Sequence, residues 1–261
     1  MSEEVSQNRR RPLPSGCVLL IAAGALIVLL VAVRVVLPLW WLNATIADLQ
    51  SKGCVFTWEG TPSWVPAWAG NLNVILSQSI RLTNGDYEIT DRDLQCVTQL
   101  ENVRWLGIFG RDVSDTGLQH LSRMTTQTEL ELSGISVTSG GLAGLSHLTQ
   151  LESLSLYRVP VDDQGARHLA RLTKLRSLVL WETGLTDNGL HELTSLTDLE
   201  RLVISNAAIS DAGLSSLEGL KNLTVVELEG TKVTTAGVAK LKAALPNCRI
   251  KTDDADPDDA E

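Results

Sequence analysis

The chain has little of what most protein chemistry requires. It holds four cysteines (Cys17, Cys54, Cys96 and Cys248) and four histidines in 261 residues, with no close C-x-x-C pair. Zinc ribbons, zinc fingers and disulfide frameworks are excluded on that count. The number leaves room for one bridge, Cys54–Cys96, if the domain is exported. His120 and His168 share a repeat column but stand two repeats apart, roughly 10 Å at ~4.8 Å per strand, too far for one metal. Basic residues are outnumbered, 22 against 31 acids, for a net charge of −9. A phosphate-binding surface needs the opposite balance, so nucleic acid is not an expected partner. No G-x-S-x-G, H-E-x-x-H, P-loop or G-x-G-x-x-G motif stands in a strand–turn–helix setting. No catalytic residue, metal or cofactor is therefore expected. What remains is apolar: 44% of residues are hydrophobic, which excludes disorder for the bulk of the chain.

The apolar content is concentrated first near the N-terminus. Residues 1–15 are polar and carry Arg9, Arg10 and Arg11; residues 16–42 then form an apolar run whose single charge is Arg34. A helix rising 1.5 Å per residue needs roughly 20 residues to cross a ~30 Å hydrocarbon core, and this run suffices. Arg34 lies close enough to one end to snorkel, and Trp40 and Trp41 fall where an interfacial aromatic belt belongs. The three arginines place the N-terminus in the cytoplasm and the rest outside, periplasmic or at the cell surface. The alternative is a cleaved signal peptide, but its apolar core would run only about 7–15 residues.

The remainder is a repeat. The first strand position recurs at Leu82, Leu106, Leu130, Leu154, Leu178, Leu202, Val226 and Ile250, each step 24 residues. A glycine column follows at Gly117, Gly141, Gly165, Gly189, Gly213 and Gly237. L-x-x-L-x-L alternates as a short strand does, and G-L-x-x-L-x-x-L recurs every three residues as a short helix does. Between them stands [ST]-[DST]-x-G, in which Asp91, Asp115, Asp163, Asp187 and Asp211 read as helix N-caps rather than a calcium ladder. Ser139 and Thr235 replace the acid in two units, which a cap tolerates and a metal ladder does not.

The pattern L-x-x-L-x-L-x-x-T-x-[LIV]-[ST]-D-x-G-L-x-x-L resembles the leucine-rich repeat superfamily, most closely its bacterial Thr-containing subclass with 24-residue units, often membrane-anchored or exported. The Thr is present at Thr183 and Thr231 and replaced at Tyr87, Arg111, Ile135, Val159 and Ala207. The resemblance covers residues 79–252, about seven units. It implies an α/β fold: a curved right-handed solenoid, parallel sheet on the concave side, short helices on the convex side. It implies binding without chemistry. Residues 43–78 read as a stalk and N-terminal cap, with Trp58, Trp64 and Trp68 as a lid over the open solenoid end or, as the alternative, a second membrane-surface anchor. Residues 253–261 carry six acids and no base and read as a disordered tail.

Side-chain alternation places three residues of each strand on the concave face. Trp105, Phe109, Tyr157 and Trp181 fall there, rimmed by Glu129, Glu131, Arg158 and Glu182. Exposed aromatics with a polar rim mark interfaces, so the expected partner is a protein or peptide, neutral or basic. The expected function is a membrane-anchored, non-enzymatic recognition module. The alternatives are an envelope scaffold with no specific ligand, or a substrate adaptor of ubiquitin-ligase type, against which the apolar run and the lack of an F-box-like helical segment both count.

The topology is testable. Alkaline phosphatase fused after residue 252 is expected to be active and the same enzyme fused after residue 15 inactive; the reverse pattern contradicts the orientation.

Overall fold

The computed structural model describes residues 79–82, 89–98 and 103–253. The basic N-terminus, the apolar run, the stalk with its tryptophans and the tail beyond Asp253 lie outside them. Among the described residues no helix is long and apolar enough to cross a membrane. Cys96 is a buried free thiol, and Cys54, with which the sequence allows a bridge, lies outside the described residues.

Eight strands form one parallel sheet in sequence order: β1 (Ser79–Leu82), β2 (Trp105–Phe109), β3 (Glu129–Ser133), β4 (Ser153–Tyr157), β5 (Ser177–Trp181), β6 (Arg201–Ser205), β7 (Val225–Glu229) and β8 (Arg249–Thr252). From β2 onward the register advances by 24 residues per strand without a slip, Leu106 opposite Leu130 and Leu130 opposite Leu154. The first step differs from expectation. Leu82 lies opposite Ile108, and Ile80 is the partner of Leu106, so that step is 26 residues. The two extra residues sit between β1 and the first helix.

Between strands run short helices: α1 (Asp91–Val97), α2 (Asp115–Leu121), α3 (Asp163–Leu169), α4 (Asp187–Glu192), α5 (Asp211–Leu214) and α6 (Thr235–Ala244). The third described unit has a 3₁₀ helix instead, Gly141–His147. Its sequence, G-L-A-G-L-S-H, adds Gly144 to the column glycine Gly141 that the other units share, and a glycine costs a helix interior about 1 kcal/mol relative to alanine. The strand residues Leu106, Ile108, Leu154 and Leu178 and the helix residues Leu118, Leu142 and Leu190 are fully buried and form the core between the two layers. One position breaks the pattern. Gln127 occupies the column of Leu151, Leu175 and Leu199, is fully buried, and neither its Oε1 nor its Nε2 has a hydrogen-bond partner. Such burial costs about 1–3 kcal/mol.

The conserved-looking acids are not the caps. The caps stand one residue earlier, at Ser114, Asp162, Thr186 and Ser210 before acids and at Thr234 before Thr235, and their side chains accept backbone N–H bonds of the first helical turn. Each aspartate is the first helical residue and reaches into the following repeat. Asp91, Asp115, Asp163, Asp187 and Asp211 accept the backbone N–H of Ser114, Thr138, Thr186, Ser210 and Thr234 at 2.7–3.1 Å. They accept the hydroxyls of the same five residues at 2.5–2.8 Å. One carboxylate thus clamps each helix start to the next. Where Ser139 replaces the acid, the next cap is Asp162, and the Ser139 hydroxyl donates to it; donor and acceptor have exchanged ends. The Thr234 hydroxyl and backbone N–H hold the Asp211 carboxyl below its ordinary pKa, and Ser139 and the Gly165 N–H do the same for Asp162. Folded values below unfolded ones mean these contacts stabilise above the ordinary carboxylate pKa of 3.8 and lose that effect as pH falls through the lowered value.

The clamp also explains the glycine column. A Cβ on Gly237 would fall on the Asp211 carboxylate, and one on Gly213 on that of Asp187. In the first described unit the column holds Asp93, which instead accepts the Thr90 N–H and hydroxyl at 2.8 and 2.9 Å. The three nearest atoms to a Gly237 Cβ all belong to the Asp211 side chain. Gly237→Ala is therefore expected to destabilise by about 1–3 kcal/mol. In an Asp211→Ala background the same change should be neutral or stabilising by up to about 1 kcal/mol, as alanine for glycine in a free helix is. Denaturant melts of the four proteins check this, and equal effects in both backgrounds contradict the clamp.

Candidate functional site

Strand alternation leaves residues 105, 107 and 109, and their counterparts in each strand, on the open face opposite the helices. In β4 the inward Leu154 and Leu156 are fully buried while Ser153, Ser155 and Tyr157 are half-buried. The same holds at Trp105, Phe109 and Trp181, all half-buried on that face.

The four aromatics form two pairs rather than one patch. Trp105 and Phe109 sit two residues apart on β2, with Gly107 between them. A Cβ on Gly107 would stand 2.6 Å from Trp105 Cη2 and 2.8 Å from Phe109 Cε2, so both rings converge over the glycine. Tyr157 and Trp181 lie directly opposite each other on β4 and β5. Between the pairs runs β3, whose outward residues are Glu129, Glu131 and Ser133. Two strand spacings, about 10 Å, separate β2 from β4.

Of the expected rim residues, Glu129 and Glu131 lie within β3, and Arg158 and Glu182 fall just past the ends of β4 and β5. Arg158 Nε donates to Glu182 Oε2 at 2.9 Å, and Trp181 Nε1 donates to Glu182 Oε1 at 3.3 Å. Glu182 thereby orients both a guanidinium and an indole. Arg158, Glu182 and Asn206 each follow a strand and have positive φ of 54°, 53° and 54°; the same column holds Gly134 and Gly230, also positive. An L side chain there costs about 1–2 kcal/mol. The pair's side chains are 72% and 42% exposed, and an exposed ion pair contributes only about 0–1 kcal/mol. The pair does not offset two left-handed residues, so stability alone does not account for Arg158 and Glu182.

Two adjoining open depressions mark this face. One, about 310 Å³, is lined by Glu131, Ser133, Tyr157, Arg158 and Trp181. The other, about 430 Å³, is lined by Phe109, Gly110, Arg111, Ser133, Gly134, Ser136 and Arg158. Arg111 was not among the expected site residues. Its column is buried in the next four repeats, at Ile135, Val159, Thr183 and Ala207, whereas Arg111 is exposed. A charge in an otherwise core-filling column was the signal that could have found it.

Groups for chemistry are sparse. Among the described residues no three His, Cys, Asp or Glu side chains are grouped to hold a metal ion. Ser216 Oγ and His191 Nδ1 stand 3.5 Å apart, exposed, and line neither depression.

The single parallel sheet, the 24-residue register and the short helices define an α/β solenoid of leucine-rich-repeat type. No protein-family model matches the chain, and no curated protein matches it. Among solved structures, the crystal structure of an internalin C2 from Listeria monocytogenes is similar, at 24% identity, covering 72% of this chain and 77% of that one with a TM-score of 0.49.

Arg158→Gly relieves the left-handed backbone and forfeits one exposed ion pair and some unfolded-state restriction. It should leave the melting midpoint equal to or above that of the parent. A loss of more than about 1 kcal/mol in denaturant melts would show that Arg158 is kept for stability.

Proposed function

We propose that the chain is a non-enzymatic recognition module that binds a protein or peptide through the open face of its sheet, anchored to a membrane by residues 16–42 with the repeats outside the cytoplasm. The observation that carries this reading is the pairing of half-buried aromatics on that face: Trp105 with Phe109, and Tyr157 with Trp181 beside Arg158 and Glu182. Aromatic rings held part-exposed on a rigid sheet supply contact area at low entropy cost, as interface hot spots do. A scaffold without a ligand has no use for them. Glu129 and Glu131 on β3 then form the polar strip between two aromatic contacts.

With a captured partner in hand, Trp181→Ala and Tyr157→Ala should each weaken binding by about 1–3 kcal/mol and leave the fold intact. Lys240→Ala, on α6 and bridged to Glu218 at 3.2 Å, should leave affinity unchanged. Titration calorimetry on the full chain in nonionic detergent reads these values. Full-strength binding by a folded Trp105→Ala, Trp181→Ala double variant would move the site off this face.

A further inference from the structure

The larger depression on the open face differs in charge from the rest of the molecule. Its lining holds two arginines, Arg111 and Arg158, two serines, Ser133 and Ser136, and no acidic residue. The chain as a whole carries a net −9. We infer that this depression binds a carboxylate on a polypeptide partner, with Arg111 and Arg158 closing on it from either side. The inference rests on the reading of the open face as a recognition surface and adds the ligand's chemistry.

Each arginine is where it is against local preference. Arg111 fills a column that buries its residue in the next four repeats, yet its side chain is exposed and meets no partner among the described residues. Arg158 stands at a positive-φ position that is glycine in two other repeats. Glu182 engages only its Nε, so the terminal nitrogens of that guanidinium have no described partner. A guanidinium presents paired N–H donors at the spacing of carboxylate oxygens, so two such groups facing one depression match a single carboxylate. The Ser133 and Ser136 hydroxyls line the same space and bond to no other described group. The register places Ser133 between Phe109 and Tyr157, so the two arginines bracket it from repeats on either side.

The adjoining depression shares Ser133 and Arg158 and adds Tyr157 and Trp181. An acidic residue seated between the arginines therefore brings its neighbour over the aromatic pair. The ligand is a segment in which Asp or Glu adjoins an apolar or aromatic residue. A long polyanion does not fit, since 31 acids against 22 bases repel it elsewhere on the chain. Counting only Glu129, Glu131, Glu182 and Arg158 leads to a neutral or basic partner; Arg111, and the use of Glu182 by Arg158, reverse that at the strand ends.

The test uses the full chain in nonionic detergent and fluorescence anisotropy with two short labelled peptides, one alternating tryptophan with glutamate, the other tryptophan with glutamine. The glutamate peptide should bind roughly tenfold tighter or better, the scale of a charge-assisted contact. Arg111→Thr combined with Arg158→Gly should abolish that preference. Both changes install residues already present in the same columns, at Thr183 and Gly134, so the fold should persist, and thermal melts check it. Trp181→Ala should weaken both peptides while keeping the preference. Equal binding of the two peptides, or a preference that survives in the double arginine variant, overturns the carboxylate site. Displacement of the glutamate peptide by millimolar inorganic phosphate but not by acetate also overturns it, in favour of a phosphorylated ligand. Indifference of both peptides to Trp181→Ala instead overturns the open-face reading itself.

Discussion

One hydrogen-bonded carboxylate per repeat sets the spacing on which everything else depends. A single repeat cannot bury its own apolar face, so stability lies in the joints between neighbours. The sheet ladder supplies one side of each joint. The aspartate at the first helical position supplies the other, joining each helix start to the next helix's cap through two bonds. At five of the six glycines of the column that carboxylate occupies the space where a Cβ would sit; at Gly165, in the unit after Ser139, Leu142 Cδ1 occupies it instead. The first described unit carries Asp93 where later units carry glycine. At the far edge of the sheet, Asp253 accepts the Gly230 N–H at 2.7 Å, where the preceding rung uses the backbone carbonyl of Glu229 to hold Asn206.

A rigid spacing turns isolated aromatics into a surface. Because the register does not slip from β2 to β8, Phe109, Ser133, Tyr157 and Trp181 stand in one row across four strands. Trp105 and Phe109 close over Gly107, and Glu182 fixes the Trp181 indole and the Arg158 guanidinium together. Rings and charges held by backbone register and short bonds lose little freedom on binding. The same row carries Ser205, buried with its hydroxyl unpartnered beside Trp181, for which the structure offers no functional account.

Much of this was legible in the sequence because it follows from periodicity. Alternation placed Leu154 and Leu178 inside and Tyr157 and Trp181 outside, and the structure agrees. What was not legible depends on partners a whole repeat away. The aspartates look like caps in a single unit; their role appears only when residue i is paired with i+23, as Asp187 is with Ser210. The exchanged pair Ser139 and Asp162 was the available clue, since the two departures from pattern fall at that separation. The 26-residue first step was hidden because Ile80 and Leu82 both fit an inward position. Arg111 was passed over because its column was read only for the residue that was missing.

The central claim is that the clamp works by donor–acceptor complementarity between successive units, whichever end holds the acid. Thermal melts of the full chain carrying Ser139→Asp, Asp162→Ser or both test it most directly. The single Ser139→Asp change sets two carboxylates against each other and should destabilise by about 1–4 kcal/mol. The double variant restores the donor and acceptor order found in the other repeats, with glycine already present at position 165 and the Leu142 side chain to be displaced beside it, and should melt closer to the parent than the single changes together would give. A double variant no more stable than the sum of its single changes would contradict the account.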